Sequence, residues 1–349
     1  LNTQIAWEKF TGDGIVIGVI DNGVDSTNPD ISPNFLDQPS YDYCGYDNDV
    51  MPYASDTDNW HGTAVTGIVA GKGDNGLGIA GVAYNSSVVG LRISGGDCVA
   101  NYTLQNSTQS AFQHRLDLID IYTNSWGPAD DGQTLDGPDA MALAAIEKGI
   151  SEGRAGLGSI YTWSNGNGLG NLDQSNKDGY ANSRYTIAVG AVNWQGKQTS
   201  YSETGSNLLV SAPSSNQTDS PSDPSVFTTD ISGSGGENST DYTSKMVGTS
   251  ATTPMVAGVV ALMLEANENL TWRDVQHILV QTSRKVDENH PGWFKTKAGN
   301  DYNHAYGYGL VDATSADFGG RCLRTKGGVL TLKRFALQIF AFNLNVLTF

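Results

Sequence analysis

Gly14-Ile15-Val16-Ile17-Gly18-Val19-Ile20 is a continuous apolar run that stops at Asp21-Asn22-Gly23. A short run with no polar side chain, closed by a turn signal, has the character of a strand buried on both faces. A carboxylate at the C-terminal end of such a strand stands where parallel sheets place their chemistry. Asn-Gly also makes an ordinary turn, so Asp21 gains meaning only with partners elsewhere. Val88 to Ile93 and Ile187 to Val192 read as further buried strands. Helical runs lie between them, and Thr271-Trp272-Arg273-Asp274 has the form of a capping-box helix start. The alternation predicts an α/β fold: a mostly parallel sheet with helices on both faces. No internal repeat is visible.

Three further segments supply candidate partners for Asp21. His61-Gly62-Thr63 opens a small-residue, apolar stretch through Gly71. Tyr161-Thr162-Trp163-Ser164 reads as a strand running into the loop Asn165-Gly166-Asn167-Gly168. Gly248-Thr249-Ser250-Ala251-Thr252-Thr253-Pro254 precedes a largely apolar run, Met255 to Ala266. That pattern exposes a serine at the start of a buried helix, whose unpaired N–H groups suit a developing oxyanion. Pro254 is expected in the first turn, where no intrahelical N–H is required. Read singly, Ser250 is a helix cap, Asn167 a turn residue and His61 one of five histidines. Together they supply what acyl transfer by serine requires: a nucleophile, a base, a carboxylate that orients the base, and an oxyanion donor.

Longer motifs carry a family resemblance. Ser125-Trp126-Gly127-Pro128-Ala129-Asp130-Asp131-Gly132, Gly156-Leu157-Gly158-Ser159-Ile160-Tyr161, Asp178-Gly179-Tyr180-Ala181-Asn182-Ser183, Tyr201-Ser202-Glu203, Leu264 to Gln276 and Tyr306 to Ala313 resemble the subtilisin-type serine proteases, and within them the kexin/furin branch. The order Asp, His, Ser is that of subtilisin. The resemblance spans residues 1 to 316, with one extra-length region at about 97 to 118. It implies that Asp21 orients His61, that His61 is the general base, that Asn167 stabilises the oxyanion, and that Ser250 attacks.

The same resemblance places Asp130 and Asp178 at the floor and wall of a first pocket for arginine or lysine. It makes the backbone of Ser125, Trp126, Gly127 and Pro128 one side of the cleft, and it turns Asp136 toward a basic residue further upstream. Two positions depart from the branch. The acid that follows the catalytic aspartate is Asn22 here, with Asp58 the nearest substitute. The acid after Gly-Pro is Ala129. Asp97 is the one candidate for the other upstream acids. The expectation is a basic first subsite with a looser preference for basic pairs. The alternatives are a broad-specificity subtilase and a catalytically idle calcium-binding fragment.

Calcium is the expected cofactor. Hard cations take clustered oxygen ligands in loops, and Tyr41 to Asp49 is such a loop. By resemblance Asp42, Asp47 and Asp49 form one site. Asp30 and Asn75 form a second, with carbonyls of Lys72, Leu77 and Ile79. Asp130, Asp173 and Glu203 form a third behind the first pocket.

The chain has 349 residues, enough for one large domain or one plus a fragment. Its formal net charge of −17 excludes the balance of a nucleic-acid binder and suits attraction of basic peptides or calcium. Three cysteines, Cys44, Cys98 and Cys322, allow at most one internal pair and do not fix a compartment. No wholly apolar window of transmembrane length occurs, so no spanning helix is expected. Leu1 already falls inside the expected catalytic domain, as in a mature or truncated product. The expected setting is the secretory pathway, the periplasm or the medium. The expected partners are basic peptide substrates and a propeptide or chaperone, with a monomeric chain. Residues 318 to 349 carry five basic side chains and no acid. The expectation for 317–349 is an atypical basic tail, truncated or misread, in place of the β-sandwich P domain that convertases normally carry.

Overall fold

The computed structural model describes residues 1–56, 58–96, 98, 102–216 and 223–322. Asp97 and nearly all of the 317–349 tail lie outside the described residues. Eleven strands are described: β1 (Val16–Asp21), β2 (Tyr41–Asp42), β3 (Ser87–Arg92), β4 (Ile121–Asn124), β5 (Ile160–Ser164), β6 (Thr186–Val192), β7 (Leu208–Pro213), β8 (Val226–Thr229), β9 (Tyr242–Met246), β10 (Phe294–Lys295) and β11 (Asp301–Tyr302). The helices are α1 (Thr3–Ala6), α2 (His61–Ala70), α3 (Tyr102–Ala111), α4 (Ala140–Glu152), α5 (Thr249–Ala266), α6 (Trp272–Thr282) and α7 (Ala313–Cys322).

Strands β1 to β7 form one sheet in the order β2-β3-β1-β4-β5-β6-β7. Every pairing in it is parallel. Strand β1 sits between β3 and β4, so the connections leave it on opposite sides and open a crevice at its C-terminal end. Asp21 is the last residue of β1, at that crevice.

The period-two alternation of buried strands divides the core into two layers. Ile17, Val19, Val88, Ile121, Ile160, Ile187 and Val189 pack on one face with residues of α2, α5, α6 and α7. Ile20, Val89, Tyr122, Tyr161 and Ala188 pack on the other face with Ala111, Phe112, Ala142 and Ile146 of the α3–α4 layer. The helices therefore cover both faces, as the sequence predicts. Helix α5 is apolar all round because it is buried all round. It is also long and apolar enough to cross a membrane, which a count of uninterrupted apolar residues misses; here it is a core helix.

Several local expectations meet their physical causes. Thr271 and Asp274 form a reciprocal capping box at α6. Cys44 and Cys98 are joined in a disulfide that ties the Tyr43–Asp49 loop to the segment following β3.

Candidate active site

The helix α2 starts at His61, directly over the end of β1. His61 Nδ1 donates to Asp21 Oδ1 at 2.8 Å. Asp21 is buried, and its Oδ2 has no partner among the described residues. Burial alone would push the imidazole's pKa down. Asp21, by charge and hydrogen bond, together with Asp58, more than offsets this, and His61 lies above its ordinary value. Its imidazole can gain and hold a proton.

Ser250 is the second residue of α5. The helix is preceded by Gly248 at φ 84°, ψ 175°, a conformation reserved for glycine. The Tyr201 hydroxyl accepts from the Gly248 N–H at 3.1 Å and fixes that turn. Ser250 Oγ donates to the Ser125 carbonyl at 3.0 Å. Asn167 Oδ1 accepts from the Thr249 N–H at 2.9 Å and from Thr249 Oγ1 at 3.1 Å. With its oxygen held there, the Asn167 amide turns its NH₂ away from Thr249. Thr249 belongs to the quoted Ser250 motif, yet its orienting role is not legible without the fold.

Pro254 corrects an expectation. It is the sixth residue of α5, inside the helix and not in its first turn. An interior proline leaves the carbonyl four residues earlier without its N–H partner. That carbonyl belongs to Ser250, and Ser125 Oγ donates to it at 3.1 Å.

A cavity of about 230 Å³ opens beside Ser250. Its lining includes Ser125, Trp126, Gly127, Pro128, Ala129, Asp130, Asn167 and Asp178. Thr134, Ser164, Gly166 and Gln174 also line it and were not expected from sequence. The Ser125–Pro128 wall is held rigidly: Trp126 Nε1 donates to Ile20 O at 3.0 Å, and Trp163 Nε1 donates to Trp126 O at 2.7 Å. Gly127 runs so close to Asp178 that a Cβ there would sit 3.0 Å from its Oδ2. Asp178 Oδ1 accepts from the Tyr180 and Ala181 amides at 2.7 and 3.1 Å. Burial, opposed by these amides and reinforced by Asp130 and Asp136, pushes the Asp178 carboxyl up to about 7. A half-buried carboxylate among other acids gains most from a cation arriving in its pocket. Asp136 is exposed on the loop whose backbone bridges Asp178.

Asn22 and Asp58 lie on the His61 side. Asn22 Nδ2 donates to Asp58 O at 2.7 Å, and Asn22 Oδ1 accepts from the Gly62 N–H at 3.0 Å.

The three expected calcium clusters differ. Asp130, Asp173 and Glu203 gather at Gly168, where an added Cβ would meet all three side chains within 3.1 Å. Asp173 and Glu203 are buried, and among the described residues neither is ion-paired. Burial, against the Gly168 N–H and with the charges of Asp130 and Asp173, pushes Glu203 up to about 8. Carboxylates are the donors a hard cation takes, but Asp130 and Asp173 approach Gly168 through Cβ, and no three acids among the described residues are arranged around a metal ion. Asp30 is fully buried and meets Asn75 Nδ2 at 2.6 Å and the Ile79 N–H at 2.9 Å. The Lys72 N–H donates to Asp30 O at 2.7 Å, and the Leu77 N–H holds Asn75 Oδ1 at 3.0 Å. Asp30 and Asn75 thus lie together with the Lys72–Ile79 segment, which meets them through its amide N–H groups and not through the carbonyls the resemblance implies.

The Asp42, Asp47 and Asp49 loop departs from expectation. Asp42 Oδ2 is 2.7 Å from Arg92 Nη1 in a buried ion pair, and Cys44 N–H donates to its other oxygen at 2.7 Å. Asp47 and Asp49 accept from backbone amides two residues on, as turn aspartates do. Arg92 thus neutralises Asp42 in this structure, and the Asp42 and Asp47 carboxylates converge beside Gly45.

Residues 12–309 match the family model described as the subtilase family, peptidase S8. The chain is 42% identical over 316 residues to furin-1 of Xenopus laevis, covering 90% of this chain and 38% of that protein. It is 41% identical over 320 residues to human neuroendocrine convertase 2, covering 90% of this chain and 48% of that one. The chain thus spans less than half the length of these relatives. The crystal structure of the serine protease of Aeromonas sobria superposes with a TM-score of 0.79 at 25% identity, over 92% of this chain and 62% of that one. A second structure of that protease is a complex with a chaperone.

Proposed function

From the chain's membership of the subtilase family, in its kexin/furin branch, we propose that it is a calcium-dependent serine endopeptidase of the secretory route that cleaves after arginine or lysine. The observation that carries the specificity is the half-buried Asp178 carboxyl, raised by desolvation, which lines with Asp130 the cavity next to Ser250. A guanidinium or ammonium entering there replaces the water it loses with carboxylate contacts. A phenylalanine entering the same cavity leaves those acids unpaired. The broad-specificity alternative draws on Asn22 and Ala129, which remove two acids from the outer subsites and loosen the demand for basic pairs.

In the proposed mechanism the substrate strand lies along Ser125–Pro128, and its amide takes the Ser125 carbonyl. Ser250 Oγ, released from that carbonyl, turns to His61. Ser250 attacks the scissile carbonyl while His61 accepts its proton, and the imidazolium then protonates the leaving amine. Asp21 keeps Nδ1 protonated and stabilises the imidazolium. The Asn167 NH₂ and the Ser250 N–H bind the oxyanion at the N-terminus of α5. Asp130, Asp173 and Glu203 would hold one calcium ion, which would neutralise charge behind the pocket, and Asp30 with Asn75 would hold another. A propeptide or chaperone is the proposed folding partner, in keeping with the chaperone bound to the Aeromonas protease.

Fluorophosphonate labelling combined with cleavage of a mixed peptide library tests this reading. Labelling confined to Ser250, with cuts after arginine and lysine, is the expected result. Folded, calcium-loaded protein that takes no label would instead be an idle binding domain.

A further inference from the structure

We propose that Asn22 is a positioning residue: it locks the His61 helix onto the Asp21 strand through both ends of its side-chain amide. This rests on the serine-peptidase reading and goes beyond any contact of Asn22 with substrate.

The helix α2 lacks a cap of its own, since Trp60 at its N-cap position offers no side-chain acceptor. The acceptor comes from the neighbouring strand end: Asn22 Oδ1 takes the Gly62 N–H at 3.0 Å. Asn22 Nδ2 donates at 2.7 Å to Asp58 O, the same carbonyl that accepts the His61 N–H at 3.1 Å. The Asn22 backbone N–H donates at 2.8 Å to Asp21 Oδ1, the oxygen that also receives His61 Nδ1. One residue therefore grips the carboxylate that orients the base, the loop before the base and the first turn after it. There is no slack in the seat: a Cβ on Gly62 would fall 2.1 Å from Gly23 O and 3.2 Å from Asn22 Oδ1.

Only an amide of this length satisfies both partners. An aspartate at 22 keeps the acceptor for Gly62 but turns a second acceptor toward the Asp58 carbonyl. It also adds a third acid beside an imidazole already faced by Asp21 and Asp58, which favours the imidazolium. An alanine supplies neither contact.

The experiment compares Asn22→Ala and Asn22→Asp with the unaltered protein, in calcium, on a peptide with Ala-Arg before the scissile bond. Fluorophosphonate titration counts working sites, so that kcat is expressed per active site. The His61 ring resonance is titrated by NMR in a Ser250→Ala background. Losing the two contacts in Asn22→Ala should lower kcat about tenfold with KM within about twofold. Asn22→Asp, the near-isosteric variant, should move both the acid limb of kcat and the His61 titration to higher pH. If kcat per active site and the His61 titration both stay at unaltered values in the two variants, Asn22 positions nothing. If the unaltered protein itself takes no label at Ser250, the serine-peptidase reading fails first, and with it the role of Asn22.

Discussion

Ser125 and Ser250 are joined twice: Ser125 Oγ donates to the Ser250 carbonyl at 3.1 Å, and Ser250 Oγ donates to the Ser125 carbonyl at 3.0 Å. The first bond exists because Pro254 cannot supply the helical N–H that the Ser250 carbonyl would otherwise receive. The second holds Ser250 Oγ, the proposed nucleophile, on a carbonyl of the cavity wall. One element of the substrate cleft is thereby fastened to the start of the nucleophile's helix.

Replacing Ser125 by alanine removes the first bond and leaves a half-buried carbonyl unpaired, at a cost of about 1 kcal/mol in unfolding free energy. In a Pro254→Ala background the restored N–H serves that carbonyl, so the Ser125→Ala penalty should shrink. Denaturant melts of the four proteins in this cycle measure the coupling. Equal penalties in both backgrounds would separate Ser125 from the proline gap.

Asn167 is held by its oxygen, through Thr249, and its NH₂ is proposed to serve the reacting carbonyl. Asn167→Ala should lower kcat by about 10²–10³ with little change in KM, the pattern of a contact made only in the transition state. A matching rise in KM would mean that Asn167 binds the ground state.

Calcium and pH should act on stability in a linked way. Without a cation the folded Asp178 carboxyl ionises at about 7 and Glu203 at about 8. In the unfolded chain both ionise near ~4. Between those values the folded state binds more protons, so its stability falls as pH rises. In chelator the melting temperature should therefore drop from about pH 5 to pH 8. In millimolar calcium the Glu203 part of the drop should be abolished, because the ion favours the charged carboxylate, and the Asp178 part should remain. Glu203→Gln should flatten the chelator slope and weaken the calcium response. Parallel pH profiles with and without calcium would remove Glu203 from any metal site.

Legibility in the sequence followed the kind of interaction. Uninterrupted apolar runs announce buried parallel strands, so β1, β3, β5 and β6 could be read, and with them the α/β class. Ser250, His61 and Asp21 were readable because each sits where an element begins or ends, beside small residues. Thr249, Thr134 and Gln174 were not, because their meaning comes from neighbours distant in sequence that only the sheet order brings close. The Asp42 ion pair was hidden for the same reason: nothing in a turn-rich acidic loop announces Arg92, from β3, against it. The position of Pro254 depended on where α5 begins, a boundary that composition sets only to within a turn.

The central claim is that Asp178 makes the cavity beside Ser250 a pocket for a basic side chain. Its most direct test is kcat/KM on matched peptides with Ala-Arg and Ala-Phe before the scissile bond, in calcium, for the unaltered protein and for Asp178→Asn, with Ser250→Ala as the blank. The unaltered protein should favour the arginine peptide strongly. Asp178→Asn should lose about 3 kcal/mol on that peptide, on the order of a hundredfold, with the phenylalanine peptide changed little. Cleavage of both peptides at similar rates by the unaltered protein, with Asp178→Asn lowering them alike, would contradict the account and leave a subtilase of broad specificity.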